Sequence, residues 1–214
     1  MKLMNKFNRK IWIMIVISML LSMYFYPSLP LKIPNEFNSQ GEIIGTTDKI
    51  VIFLFPVLMI VLLFSSELMR KIDPKHMNYE KFEGTYYMFQ FGMAVFMICI
   101  QIFLIASAMG WVHNLPSMAN IMLGAMFIFL GNITPKIKYN YSMGIKTPWT
   151  LASEKVWYLT HRTCGKIWVL AGLLMLPLGL LAGTLKEILL AAIIIIAVFS
   201  SYFLSYYYYQ KENV

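Results

Sequence analysis

His161 and Cys164 stand three residues apart, so a helix would put them on one face, and an imidazole beside a thiol is the pairing that activates a cysteine nucleophile. That chemistry also needs a third group to orient the base, and none falls at the required spacing. Extended along the chain, the same face takes in Trp157, His161, Cys164 and Trp168 at i, i+4, i+7 and i+11, an arc of about 60° at helical pitch. Glu154, Tyr158 and Arg162 form a neighbouring row. These residues belong to GIKTPWTLASEKVWYLTHR (144–162), the most polar long run of the chain. Two helix starts are legible in it. Thr147 followed by Pro148 pairs a capping hydroxyl with a proline at the first helical position, and Ser153-Glu154 sets a second cap with an acid against the positive helix end. The periodicity is that of an amphipathic helix at the membrane interface, either a linker or a functional surface.

Other catalytic signatures are missing. There is no HExxH, GxSxG or Walker glycine loop, no pair of intramembrane carboxylates, and no CxxC or Cys/His cluster with zinc spacing. The sequence therefore predicts a protein that is not an enzyme and holds neither cofactor nor metal. Glu67 lies at the end of an apolar segment within reach of Arg70 and Lys71, a weak basis for an ion pathway. His76 and His113 read as solvated loop residues. Gln90 and Gln101 share a face of one helix, and Asn120, Gly124 and Gly131 share a face of the next. Small residues and amides hold membrane helices together, so packing between the third and fourth helices is preferred here over a ligand pocket.

The elements that carry these groups are built for lipid. Of 214 residues, 59% are apolar and 13% charged, about half the charge of a soluble domain. Six segments approach the ~20 residues that a bilayer core requires: 11–26, 50–66, 86–112, 117–133, 167–183 and 187–209. With backbone pairing obligatory in lipid, each is expected to be helical. The expected fold is all-α, a polytopic integral membrane protein of six transmembrane helices with an interfacial cytoplasmic helix before the fifth. Its parts are an N-terminal helix pair (11–66) with an extracytoplasmic loop (27–49), and a four-helix membrane domain (86–209) containing a cytoplasmic motif loop (134–166). The N-terminal segment has no small-residue cleavage site after Tyr26 and reads as a retained helix. Loop 27–49, rich in Pro, Gly, Asn and Ser, reads as turn-forming.

The net charge of +8 comes from short basic clusters between apolar runs rather than from a nucleic-acid-binding patch. Fifteen of the eighteen Lys and Arg fall on one side of this layout; only Lys32, Lys49 and Lys186 fall on the other. Positive-inside orientation then puts both termini and the 134–166 loop in the cytoplasm. Trp12, Tyr24, Tyr26 and the SYYYY run near the C-terminus are placed as interfacial anchors.

The run GNITPKIKYNYSMGIKTPWTLASEKVWYLTHRTCGKIW (131–168) resembles the signature of the SdpI family of bacterial membrane proteins. Its matching positions are Gly131, Asn132, Lys136, Lys138, Asn140, Gly144, Ile145, Thr147, Pro148, Trp149, Thr150, Leu151, Trp157, Thr160, His161, Arg162 and Gly165, with Lys146 where the family has arginine. LPLKIPNEFNSQGEIIGTTDK (29–49) is similar to the outer-loop segment that often precedes the domain, with Glu36 in place of a histidine. The resemblance implies a multi-pass protein of the bacterial plasma membrane that confers immunity to a secreted peptide toxin, and a signalling role in which a soluble transcriptional repressor is recruited to the cytoplasmic face. It implies no direct nucleic-acid contact. The functional motif it marks is Asn132, Lys138, Asn140, Gly144, Lys146, Thr147, Pro148, Trp149, Thr150, Trp157, Thr160, His161, Arg162 and Gly165. A small transporter or channel is the alternative, with Gln90, Gln101, Asn120 and Asn132 as its polar path.

Overall fold

The computed structural model describes residues 2–38, 40, 42–112, 115–181 and 183–212. Seven α-helices account for most of them: α1 (Lys2–Phe25), α2 (Leu54–Ile72), α3 (Glu83–Ala108), α4 (Leu115–Ile133), α5 (Pro148–Ala152), α6 (Glu154–Leu178) and α7 (Thr184–Glu212). The stretches Arg9–Ser28, Lys49–Ile72, His76–Ala108, Met118–Lys136 and Thr184–Glu212 are long and apolar enough to cross a bilayer. The expected fifth span, 167–183, is not a helix of its own. It is the C-terminal part of α6, whose 25 residues run unbroken from Glu154 and measure about 37 Å at 1.5 Å per residue. Arg162 and Lys166 in its N-terminal half keep its composition more polar than that of the other five. The interfacial helix expected from Ser153 onward is therefore no separate element either: it is the N-terminal part of α6 and runs unbroken into the span, while the Thr147-Pro148 start gives the short α5, set off from α6 by the extended backbone of Ser153.

Loop 27–49 holds a β-hairpin, which the turn residues alone did not indicate. β1 (Lys32–Phe37) pairs antiparallel with β2 (Ile43–Asp48), and register shifts on either side of Glu36 set it against Gly45. Asn38 closes the turn, its Oδ1 accepting the backbone N–H groups of Gln40 and Glu42. Ile33 is fully buried and seats the hairpin on Leu29, Ile52 and Ile105, while Lys49 Nζ donates to the carbonyls of Tyr26 and Leu29. Leu31, Ile43 and Ile44 remain exposed.

Polar groups inside the bundle pair as glue, but with partners other than those expected. Gln101 is buried on α3 and reaches α1: Ser18 Oγ donates to its Oε1 (2.6 Å), and its Nε2 donates to Ser22 Oγ (2.8 Å) and the Ser18 carbonyl (3.0 Å). Gln90 donates to Ser66 Oγ on α2. The amides of α3 therefore bind the first helix pair, not α4, and an apolar cluster of Ile11, Ile15, Met59, Leu63, Ala94 and Ile98 fills the space between these three helices.

The glycine stripe of α4 faces α6. A Cβ on Gly131 would stand 2.6 Å from the Gly165 carbonyl oxygen, and one on Gly124 would stand 2.9 Å from that of Gly172. The two approaches are one heptad apart on each helix and run in opposite senses, so α4 and α6 pack antiparallel with backbone against backbone. The stripe's partner is thus α6, while the expected packing of α3 on α4 is made elsewhere, where the Phe129 ring of α4 seats over Gly92 of α3.

Candidate functional site

Between α4 and α6 the chain from Thr134 to Ser153 folds into a compact knot, closed from the other side by the α2–α3 connection. Asn140 is its hub, with no exposed surface. Its Oδ1 accepts the N–H groups of Ser142 (2.9 Å) and Met143 (2.6 Å), and its Nδ2 donates to the carbonyls of Lys138 (2.7 Å) and Met143 (2.9 Å). An asparagine that satisfies its own loop in this way holds it as a turn without help from a sheet or helix.

Asp73, one residue past α2, crosses to this loop. Its Oδ2 accepts from Tyr141 N–H (2.9 Å), Ser142 N–H (3.1 Å), Ser142 Oγ (3.0 Å) and Tyr79 Oη (3.0 Å), and its Oδ1 from Lys75 N–H (2.7 Å). Burial alone would raise its pKa, yet this ring of donors outweighs burial and holds the carboxyl below the usual value. Tyr79 Oη also reaches Asn140 Oδ1, and Asn78 Nδ2 donates to the Tyr139 carbonyl. Tyr79, Phe82, Tyr86, Tyr87, Ile137 and Trp157 form the apolar cluster beneath.

The Trp157–His161–Cys164 face points inward: the first is nearly buried and the other two are completely so. The Trp157 ring stacks on His161 at 4.0 Å between centroids, and its Nε1 donates to the Ile137 carbonyl. His161 Nε2 accepts the Ile145 N–H at 2.9 Å, so the ring proton sits on Nδ1 and is donated to the Trp157 carbonyl at 2.8 Å. Both nitrogens are engaged, which leaves no lone pair for a general base. Gly144 stands over this ring with φ +121°, a backbone conformation open chiefly to glycine, and a Cβ there would meet His161 Nε2 and the Trp157 ring.

Both helix starts form as the sequence predicts. Thr147 accepts from Thr150 N–H, while Thr150 Oγ1 accepts from Thr147 N–H and donates to the Ile145 carbonyl, a capping box that starts α5; Ser153 caps α6 through Val156 N–H. Trp149 lies edge-on to Tyr202 and packs against Tyr206 on α7. The motif thus divides in two. Asn140, Thr147, Thr150, Trp157, Thr160, His161 and Gly165 are buried, with Trp149 half-buried, and they build the knot. Asn132, Lys138, Gly144, Lys146, Pro148 and Arg162 are exposed. Asn132 bonds only its own helix, through the Ile128 carbonyl; Arg162 donates to Tyr158 Oη and Lys146 to the Ser142 carbonyl. His76 is exposed as expected, and His113 falls outside the described residues. Asp73 and Tyr79 were not singled out by sequence. The Asp73-Pro74 pair marks a turn, but nothing local points to a partner 68 residues on. Among the described residues, no group of three His, Cys, Asp or Glu side chains could hold a metal.

The His161 geometry has a pH consequence. Burial lowers its pKa to about 4 from 6.5, outweighing the opposing hydrogen bond to the Trp157 carbonyl. Below pH 6.5 the unfolded chain takes up a proton that the folded chain refuses until about pH 4. This contribution to stability is complete above pH 6.5, shrinks between 6.5 and 4, and is gone below; its full size is about 3 kcal/mol. Melting of the purified protein should move down as pH drops through that window, before Asp73 begins to protonate. In His161→Gln the slope should vanish, and a wild-type melt flat from pH 7 to 4 would contradict the assignment.

Fold and site together define a multi-pass helical membrane protein whose C-terminal half wraps a buried, hydrogen-bonded loop at one end of the bundle. The model of the SdpI/YfhL protein family matches residues 136–206, and that of a domain of unknown function, DUF1648, matches residues 13–60. The chain is 25% identical over 171 residues to Immunity protein SdpI of Bacillus subtilis (strain 168), a match spanning 80% of each chain. The chain is thus similar to the SdpI/YfhL family over residues 136–206 and to one of its immunity proteins over most of its length. No solved structure matches it. Asp73 and Tyr79 lie between the two matched segments, in the stretch that joins them physically.

Proposed function

We propose that the protein confers immunity to a secreted peptide toxin, acting by binding rather than catalysis. The observation that carries this reading is the similarity to Immunity protein SdpI across four-fifths of both chains. Both termini and the knot then face the cytoplasm of a bacterial plasma membrane, as the bias of basic residues requires. The hairpin faces outward, where exposed Leu31, Ile43 and Ile44 and the free strand edges suit an apolar or extended peptide. On the inner face, Lys138, Lys146 and Arg162 project from the knot, an arrangement that suits docking of a regulator with an acidic surface. Transport is less well supported, because Gln101, Ser18 and Ser22 close on one another instead of lining a path.

Survival of a toxin-sensitive bacterium expressing the protein tests both halves. Challenged with the peptide toxins of neighbouring strains, cells carrying the wild-type protein should survive at least one that kills the empty strain. Replacing Ile43 and Ile44 together by Asp should abolish protection at unchanged membrane abundance. Replacing Lys138, Lys146 and Arg162 by Ala should leave protection intact while a repressor reporter stops responding. Killing of wild-type-expressing cells by every toxin would refute immunity, and a reporter indifferent to the triple change would remove the docking face.

A further inference from the structure

We propose that the space between α2, α3, α4 and the knot is a binding site for a single-chain anionic lipid, a lysophospholipid in chemistry, inserted from the bilayer leaflet at the knot's end. The cavity has a volume of about 500 Å³, within the range of small-molecule sites.

Polarity is graded along the cavity. Lys146, an exposed residue of the knot, is the only charged residue among the described lining residues. Behind it the α3 wall presents Tyr86 and then Gln90, one turn apart on the same face, followed by Met93 and Ala94. The α2 wall carries Met69 at the knot, then Ser66 and Ser65, with Met59 deeper. From Tyr86 to Ala94 the rise is about 12 Å. A lysophospholipid has this order of groups: phosphate, then hydroxyl and ester, then hydrocarbon.

Two buried polar atoms lack partners where the neck of such a molecule would lie. Gln90 is 8% exposed and Tyr86 4%. Gln90 spends its Nε2 on Ser66 but leaves Oε1 without a donor, and Tyr86 Oη has no hydrogen-bond partner. Leaving such groups unpaired is costly, and a ligand that pairs them recovers that cost. A glycerol hydroxyl would donate to Gln90 Oε1, and Tyr86 Oη would donate to an ester carbonyl. The hydroxyls of Tyr79 and Ser142 on the lining are spent on Asp73, so Lys146 is the group left to receive a phosphate.

Native mass spectrometry of the detergent-solubilised chain, titrated with oleoyl-lysophosphatidylglycerol or oleoyl-lysophosphatidylcholine, tests the site. The wild-type protein should bind one molecule and prefer the anionic probe. Ala94→Phe, which fills the deep end, should weaken binding about tenfold, with Met93→Phe as a second filling variant should the first fail to fold. Lys146→Ala should retain binding but lose the preference between probes, a few-fold to tenfold change for one desolvated charge contact. Binding of several molecules with no response to either filling variant would mean annular lipid only and would overturn the proposal. So would Gln90→Leu if it raised the melting temperature while leaving lipid binding unchanged, because the cavity would then hold only water. Neither result depends on protection against a toxin.

Discussion

Gly131→Leu is expected to drive α4 off α6 and to lower the melting temperature of the detergent-solubilised protein by roughly 6–12 °C, taking about 3 kcal/mol at 2–4 °C per kcal/mol. A Cβ at this position would stand 2.6 Å from the Gly165 carbonyl oxygen and 2.7 Å from the Val169 amide nitrogen. Both obstacles are backbone, so no rotamer change relieves them and the helix axes must separate. Separation propagates, because Thr134 and Pro135 follow α4 directly and Pro135 packs against Gly165. The knot begins there, and Trp157, which donates to the Ile137 carbonyl, should lose its buried environment and shift its fluorescence to the red. Gly84→Ala is the control: no atom lies within 4 Å of a Cβ at Gly84, so its melt should match wild type. A Gly131→Leu protein that melted normally would show that the glycine register does not hold the two helices.

Features set by local chemistry were legible in the sequence. The apolar runs, the Thr147 and Ser153 caps, and the inward face of Trp157, His161 and Cys164 follow from composition and helical period, and the structure has all of them. The sequence showed equally that Gln101 and Gly131 would make helix contacts, since an amide or a glycine stripe inside an apolar run has few other uses. It did not show with which helix. Partner choice is set by the register of the facing helix, and Gly165 and Gly172 look unremarkable until they are laid against Gly131 and Gly124. The hairpin escaped for a similar reason. Its turn residues were visible, but Ile33 becomes a strand anchor only once Ile52 and Ile105 form a floor for it.

Asp73 is the extreme case, because its meaning depends on residues 68 and 69 positions away, and replacing it by alanine should have the largest effect on the knot. Four donors from outside its own turn converge on Oδ2, and three of them belong to Tyr141 and Ser142. Removing the carboxylate strands the buried Tyr79 hydroxyl and three part-buried donors, at up to about 1–3 kcal/mol each. Partial relaxation and non-additivity bring the total to roughly 3–5 kcal/mol. The damage should be local at first, since α1, α2 and α3 keep their own cluster around Met59 and Ala94. Limited proteolysis should therefore cut Asp73→Ala within residues 136–147 at a protease concentration that leaves the wild-type protein whole, whereas Glu80→Ala, at an exposed position, should resist as the wild type does. Asp73→Asn separates charge from shape: it keeps one acceptor but turns an NH2 group toward donors that need a lone pair, so its loop should be cut at an intermediate rate. Resistance of Asp73→Ala equal to wild type would mean that Asn140 alone holds the loop, and that the contact between the α2–α3 connection and the loop carries no weight in its stability.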